Sequence, residues 1–166
     1  MWHLVFSMFY KTQNKKSKNT GSLLVEVLLA VFIVTVALVG ASVAVSASIE
    51  TSRLSLRETQ ATYLLAEGAE AVRMVRDNNW TTFAALTLGT TYYPTYSSGW
   101  ALSTTPNTVD GFTRTVVFSA AYRDSNDDLA TSGTLDPRSK KVTVTVSWDG
   151  GASSKSISFY LMDIFT

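Results

Sequence analysis

The sequence predicts an α+β protein in which one long N-terminal helix packs on a small antiparallel β-sheet. Residues 21–49 are almost entirely apolar, and a helical pattern without proline continues from there to about Asp77. From Thr81 onward the chain is rich in Thr, Ser, Tyr and Gly with β-branched runs, a composition that favours strands. The apolar face of such a sheet must be covered, and the helix is the only cover that the sequence offers.

The apolar segment 21–49 is long enough to span a bilayer, which takes about 20 residues of helix. Four lysines precede it, and Glu26 is the only charged residue within it. The positive-inside rule therefore places the N-terminal side in the cytoplasm and the chain after residue 49 outside. An ionisable group in hydrocarbon costs at least ~2.5 kcal/mol, so Glu26 is expected to have a partner or a function.

Two general interpretations fit this segment. The first is a simple transmembrane anchor in which Glu26 has no role. The second is a secretory signal peptide that is cut after Ala44 or Ala47, where small residues stand in the required positions. The apolar run is longer than the ~7–15 residues of a signal-peptide core, which disfavours the second.

Gly21 stands at the boundary between the basic and apolar parts, and Glu26 follows it five positions later at the start of the hydrophobic run. This arrangement resembles the processing site of type IV prepilins and of the pseudopilins of type II secretion. The resemblance implies that a prepilin peptidase cleaves between Gly21 and Ser22 and that the new N-terminus, Ser22, is methylated. It further implies that Glu26, the fifth mature residue, pairs with the N-terminal amine of a neighbouring subunit. Ser22 departs from the Phe or Met that is usual at the first mature position.

The function implied by the resemblance is that of a type IV pilin-like filament subunit, with a minor pilin favoured because the chain has no cysteine and many major pilins carry a disulfide. Its partners would be other pilin subunits, bound through the N-terminal helix, the prepilin peptidase, an inner-membrane assembly platform and, before assembly, membrane lipid. It would cross the bacterial inner membrane once and then join an extracellular or periplasmic filament. The alternatives are a type II secretion pseudopilin and a membrane-anchored extracytoplasmic binding module that does not polymerise.

Four segments follow from this interpretation: a basic leader (1–21), the transmembrane or filament-core half of the helix (22–49), its amphipathic half (50–79) and a β-sheet domain (80–166). The leader begins with an apolar, aromatic stretch, and Met8 is an alternative start. Without the leader and its four lysines, 10 basic and 13 acidic residues remain. That mildly acidic balance disfavours nucleic acid as a partner, since its binding draws on clustered Lys and Arg.

The amphipathic half of the helix carries one apolar stripe at three-, four- and seven-residue steps, formed by Leu54, Ala61, Leu65, Gly68, Val72 and Val75. Gly68 and its small neighbours predict a close approach of the sheet at that point. Asn78 and Asn79 are expected to close the helix in the left-handed conformation.

The C-terminal part predicts strands at 91–94, 100–103, 112–122, 142–148 and 154–161, arranged as an antiparallel meander. The side chains expected to face the helix are Phe112, Val116, Phe118, Val142, Val144, Val146, Ile157 and Phe159. The basic residues Arg138, Lys140 and Lys141 are interpreted as a charged sheet edge that discourages aggregation. The aromatic residues Tyr92, Tyr93, Tyr96 and Trp100 are expected either to pack over the helix end or to form an adhesive surface.

The sequence offers little chemistry for an enzyme, and we predict neither catalysis nor a cofactor. Its single histidine, His3, lies in the leader, and there is no cysteine, so the mature chain lacks the usual activators of a nucleophile. Residues 124–128 contain three aspartates that could offer oxygens to Ca²⁺. They lack the spacing, the glycine and the closing glutamate of an EF-hand loop, so a solvated loop is favoured.

Overall fold

The computed structural model describes residues 20–164, so the predicted leader up to residue 19 and the alternative start Met8 lie outside the described residues. Helix α1 covers Thr20–Asn78, and a short helix α2 covers Trp80–Ala84. The strands are β1 Thr91–Tyr96, β2 Trp100–Ser103, β3 Thr108–Val109, β4 Phe112–Arg123, β5 Leu129–Ala130, β6 Thr134–Trp148 and β7 Ser153–Met162. The chain divides into two compact units, the first ending at Thr51 and the second beginning at Ser52.

The predicted α+β class is confirmed. In the second unit, residues of α1 from Ala61 onward pack on one face of an antiparallel sheet, and the buried side chains of helix and sheet form two hydrophobic clusters. The larger cluster contains Val72, Phe83, Tyr92, Val116, Phe118, Val142, Val144 and Leu161. The smaller contains Ala61, Phe112, Val146 and Trp148.

The sheet order is β2-β1-β4-β6-β7, with β3 and β5 also paired to β4. The predicted meander is therefore wrong at its start, because β4 lies beside β1 and leaves β2 at the edge. Thr91 and Tyr92 pair with β4, and the centroid of the Tyr92 ring lies 5.6 Å from that of Phe118 in the larger cluster. Burial of this ring accounts for the position of β1 against the main sheet.

The predicted helix stripe is confirmed from Ala61 to Val75 and is wrong at Leu54, which is 51% exposed. Every side chain described before Ala61 is exposed, and this part of α1 reaches the sheet through exposed ion pairs, Arg57 with Asp149 and Glu58 with Lys155. At Gly68, a Cβ atom would lie 2.8 Å from Cδ of Arg114 and 2.9 Å from Cγ1 of Val144. The close approach predicted at Gly68 is therefore confirmed.

The end of α1 differs from the prediction. Asn79 is extended, with φ −160°, and acts as the N-cap of α2 by accepting a hydrogen bond from the backbone N–H of Thr82 at 3.0 Å. Neither Asn78 nor Asn79 has a positive φ. The left-handed cap is wrong because a second helix starts at once and uses the Asn79 side chain for its own first turn.

Six of the eight side chains predicted to face the helix are buried: Phe112, Val116, Phe118, Val142, Val144 and Val146. Phe159 is partly buried against the larger cluster, whereas Ile157 is 43% exposed. Ile157 pairs with Val144 and shares its face, but β7 is an edge strand that the core covers only in part.

The basic cluster is not a sheet edge, because β6 lies between β4 and β7. Lys140 is buried, and its Nζ donates to the carbonyl oxygens of Leu86 at 2.6 Å and Phe83 at 3.4 Å. Its ammonium also lies 5.9 Å from the ring centroid of Phe83. Lys140 thus ties the end of α2 to the sheet, and burial lowers the pKa of its amine below the ordinary value.

Candidate functional site

The residues of the predicted processing site lie at the start of helix α1. The helix begins at Thr20, so the bond between Gly21 and Ser22 falls in its first turn, and Glu26 lies in the second. Gly21, Ser22 and Glu26 are all exposed, and a Cβ atom placed on Gly21 would meet nothing within 4 Å. Cleavage and methylation at Gly21 and Ser22 stay predictions, as does the assembly role of Glu26.

The apolar side chains that follow are exposed on all sides of the helix. Between residues 23 and 49, the exposed large hydrophobic side chains each have 50% to 66% of their surface accessible to solvent. A monomer in water rarely exposes a contiguous apolar patch larger than a few hundred Å². This segment therefore needs an apolar environment, either lipid or the helices of other chains.

Hydroxyl groups within and just beyond the apolar segment are already hydrogen-bonded to the helix. Thr35 donates to the carbonyl of Val31 at 2.7 Å, and the same i−4 bond is made by Ser42, Ser46 and Thr51. An unpaired hydroxyl in an apolar environment costs several kcal/mol, and these bonds remove that cost. Their presence makes the segment compatible with hydrocarbon despite its polar residues.

Glu26 is different. Among residues 20–164 no ion pair joins its carboxylate to a basic side chain. A carboxylate in an apolar environment requires either a proton or a cation. Residues 20–164 offer no cation at Glu26, so in an apolar environment this group needs either a proton or a cation from another molecule.

One helix of the described chain, Gly21–Asn78, is long and apolar enough to cross a membrane, judged by length and composition alone. This finding agrees with the transmembrane part of the sequence prediction. It leaves the orientation in the membrane and any filament as predictions.

The loop 124–128, considered above as a calcium site, is exposed and folds on its own hydrogen bonds. The Asp124 carboxylate accepts from the backbone N–H groups of Asn126 at 2.8 Å and Asp128 at 3.1 Å. Arg123 donates to the backbone carbonyl of Asp127 at 2.7 Å. Within residues 20–164, no three His, Cys, Asp or Glu side chains are arranged to hold a metal ion.

The aromatic residues of β1 and β2 divide between the two roles considered for them. Tyr92 is buried, and its hydroxyl accepts a hydrogen bond from the N–H of Thr87 at 3.0 Å. Tyr96 is 68% exposed and contacts Trp100 across the hairpin. The prediction of packing over the helix end is therefore confirmed for Tyr92 and wrong for Tyr96.

A buried arginine was missed by the sequence prediction. Arg114 lies on the helix-facing side of β4, 5% exposed, with its Nη1 3.1 Å from Oε2 of Glu67 and 3.4 Å from the carbonyl of Leu64. Its guanidinium also lies over the Trp100 ring, 5.2 Å from the centroid. The signal was present in the alternation of β4, because Arg114 falls midway between the core-facing Phe112 and Val116.

Comparisons of the chain with protein-family models, with curated proteins and with solved structures find no match. The class of protein that the fold defines is an α+β domain that follows a long apolar helix capable of spanning a membrane. The residues of α1 are therefore the features from which a function can be inferred.

Proposed function

We propose that this chain is a type IV pilin-like filament subunit, of the minor-pilin kind, that is matured between Gly21 and Ser22 and assembled through residues 22–49. One observation carries the proposal. Glu26 is the only ionisable residue of an apolar helical segment that is exposed on all sides, and the described chain gives its carboxylate no cation.

Maturation supplies the missing cation. Cleavage after Gly21 frees a positively charged amine at Ser22, which stays charged when methylated. On the same helix the amine lies four residues from Glu26, and on an adjacent subunit it can approach the carboxylate directly. Because attraction between charges is strong at low dielectric, the pair offsets much of the desolvation of Glu26. Such a pair also fixes the axial register between neighbouring helices.

Two alternatives remain open. A type II secretion pseudopilin has the same processing site and the same use for Glu26, so it differs only in the machine that assembles it. A membrane-anchored binding module that does not polymerise is a different class. The exposure of residues 23–49 favours such a module as much as it favours a filament subunit, because lipid alone is sufficient to cover that surface.

The test is the substitution Glu26→Leu, with Val27→Leu as a matched control on the next residue of the helix. In a plain anchor, loss of the carboxylate removes a cost of ~2.5 kcal/mol or more, so Glu26→Leu should insert at least as well as the unmodified chain. In a filament subunit it should still be cleaved and held in the membrane, yet be depleted about tenfold or more from purified filaments, which corresponds to ~1.4 kcal/mol.

The measurement is to fractionate cells and quantify the chain separately in membrane and sheared-filament pools. Val27→Leu is expected to divide between the pools as the unmodified chain does. If Glu26→Leu enters filaments as well as its control, the assembly role of Glu26 is wrong. If even the unmodified chain stays in the membrane pool, the anchored-module alternative replaces the filament proposal.

A further inference from the structure

An open cleft lies between the C-terminal end of α1 and the tip of the β1–β2 hairpin. Its volume is about 750 Å³, within the range of ~300–1,000 Å³ that is typical of small-molecule sites. The hairpin reaches beyond the main sheet, because β1 pairs with β4 only through Thr91 and Tyr92 and the order places β2 at the edge. The outer half of the hairpin is held by its own pairing and by the contact of Trp100 with Arg114 of β4.

One wall of the cleft is aromatic. Trp100 lines it, and Tyr96, its partner in the hairpin register, lies with its ring centroid 5.4 Å from that of Trp100 at an interplanar angle of 65°. Neither residue belongs to the two hydrophobic clusters of the core, and Tyr96 is 68% exposed. Trp100 therefore gives the cleft an aromatic lining, and Tyr96 adds exposed aromatic surface beside it.

The aromatic wall is held in a fixed orientation. The guanidinium of Arg114 lies over the Trp100 ring at 5.2 Å, and Arg114 is itself fixed by its 3.1 Å ion pair with Glu67 of α1. A ring that is already positioned loses little conformational freedom when a ligand stacks on it. The buried arginine thus prepares the cleft for binding.

The remaining surface of the cleft combines the apolar side chains of Met74 and Ala101 with polar groups. Asp77 and Asn78 contribute an exposed carboxylate and carboxamide from the helix, and Ser97 and Ser98 contribute hydroxyls from the hairpin tip. The Asp77 carboxylate is paired with the guanidinium of Arg76 at 2.6 Å. The cleft therefore offers several hydrogen-bond donors and acceptors, and the only charged residue of its lining, Asp77, is paired with a cation.

We infer that this cleft binds a neutral oligosaccharide. A sugar ring has an apolar C–H face, which packs on an aromatic side chain, and a periphery of hydroxyls, which match planar carboxylate and carboxamide groups and serine hydroxyls. The walls supply both, and the balance of charge disfavours an ionic ligand. The inference goes beyond the proposed filament function, because it concerns only residues of the second unit and applies to a filament subunit and to an anchored module alike.

The experiment uses the full chain, purified in a zwitterionic detergent that has no sugar headgroup. It is titrated with the β-1,4-linked hexasaccharides of glucose, N-acetylglucosamine and mannose, and with hexagalacturonate as an acidic comparison. Binding is followed by calorimetry and by tryptophan fluorescence. We expect saturable binding of at least one neutral hexasaccharide and a weaker response to the acidic one.

Two substitutions examine the two walls, and a third is their control. Trp100→Ala removes the aromatic ring that lines the cleft, and Asn78→Ala removes an exposed carboxamide; each should raise the dissociation constant about tenfold, the effect of one lost stacking or hydrogen-bonding contact. Tyr63→Ala removes a tyrosine that is 73% exposed on α1 and outside the cleft, so it should bind as the unmodified chain does. Circular dichroism establishes that all three variants are folded.

The inference is overturned if none of the three neutral hexasaccharides binds saturably at millimolar concentration, if hexagalacturonate binds more tightly, or if Trp100→Ala binds as well as Tyr63→Ala. The Glu26→Leu variant retains the cleft and should bind the sugar normally. Failure of sugar binding and failure of filament entry are therefore separate results.

Discussion

Gly68 shows how a single missing side chain sets the distance between two elements. A Cβ atom at this position would come within 3.0 Å of Arg114 and of Val144, which is closer than such contacts occur. Arg114 cannot move away freely, because its guanidinium is held by Glu67 and the carbonyl of Leu64. Val144 is fully buried and equally confined. The glycine is therefore required by packing.

We predict that Gly68→Ala destabilises the chain. Alanine improves helix propensity by ~1 kcal/mol, but overpacking a confined site costs ~1–3 kcal/mol, and the second effect should exceed the first. The measurement is thermal unfolding of the full chain in detergent. The control is Ser55→Ala on the exposed part of α1, where only propensity acts and a small gain is expected. An unchanged or higher melting temperature for Gly68→Ala would contradict the packing argument.

Asp136 links stability to acid pH. Its carboxylate accepts hydrogen bonds from the Ser139 hydroxyl at 2.8 Å, from Nε of Arg123 at 2.8 Å and from the N–H of Arg138 at 2.9 Å. These bonds, with that of Ser139 the strongest influence, lower the pKa of Asp136 below its ordinary value. The folded chain therefore holds this proton less tightly than the unfolded chain. The resulting stabilisation is present above pH ~4, the ordinary pKa of aspartate, and is lost as the pH falls through and below that value.

We expect Asp136→Asn to be less stable than the unmodified chain at pH 7 by about 1–2 kcal/mol, because hydrogen bonds to a charged acceptor are lost. The difference should shrink as the pH falls below ~4, since the unmodified carboxylate is then protonated as well. Unfolding by denaturant at a series of pH values measures it. Asp110→Asn, at an exposed turn, is the control. A difference that is constant from pH 7 to pH 3 would show that the ionised state of Asp136 is irrelevant to stability.

Strand β6 sorts its side chains by face. Val144 is fully buried against the helix, whereas the neighbouring Thr143 points to the opposite face, where its hydroxyl lies 2.8 Å from that of Ser158. Val144→Asp should cost several kcal/mol, because it buries a charge without a partner. Thr143→Asp should cost at most ~1 kcal/mol, the scale of one cross-strand pair. The two variants are compared by thermal unfolding. An equal loss of stability would mean that the assignment of Val144 and Thr143 to opposite faces of the sheet is wrong.

Regular alternation made the main strands predictable from the sequence. The core-facing positions of β4 and β6 follow a period of two, and the structure buries them as that period requires. The first part of β6 was not predicted, because Pro137 and its charged neighbours Asp136 and Arg138 interrupt the alternation of apolar and polar residues. The pairing of β4 with β6 also shifts register there, between Ala120 and Ala121. The two-residue strands β3 and β5 exist only through pairing with β4, so nothing local in their sequence marks them.

The sequence did not predict the charged side chains inside the fold, because their partners are distant in the chain. Arg114 and Lys140 lie on the helix-facing side of their strands, but a charge in such a position is ordinarily assigned to solvent. Their partners are Glu67 of α1 and the carbonyl of Leu86 after α2, which are brought near only by the tertiary fold. The same holds for the cleft, since its two walls come from α1 and a hairpin that are separate in the chain.

For the molecule as a whole, the proposed maturation predicts a chain that begins at Ser22. Mass spectrometry of the N-terminal peptide is the measurement. Gly21→Leu should leave the precursor at full length, because the resemblance to prepilins implies a small residue before the cut. Ser22→Phe, which installs a residue usual in that family at the first mature position, is the control and should be cleaved. An N-terminus beyond Ala44 would instead indicate removal of a signal peptide and would exclude the prepilin interpretation.

The hydroxyl groups along α1 have a consequence for the proposed passage of this helix from lipid into a filament. Thr35, Ser42, Ser46 and Thr51 each donate to a carbonyl one turn earlier in their own helix. None of these bonds requires a neighbour, so all four can persist whether lipid chains or protein side chains surround the segment. If the helix passes from lipid into a filament as proposed, Glu26 is the one side chain among these five that would gain a new partner, the amine of an adjacent subunit.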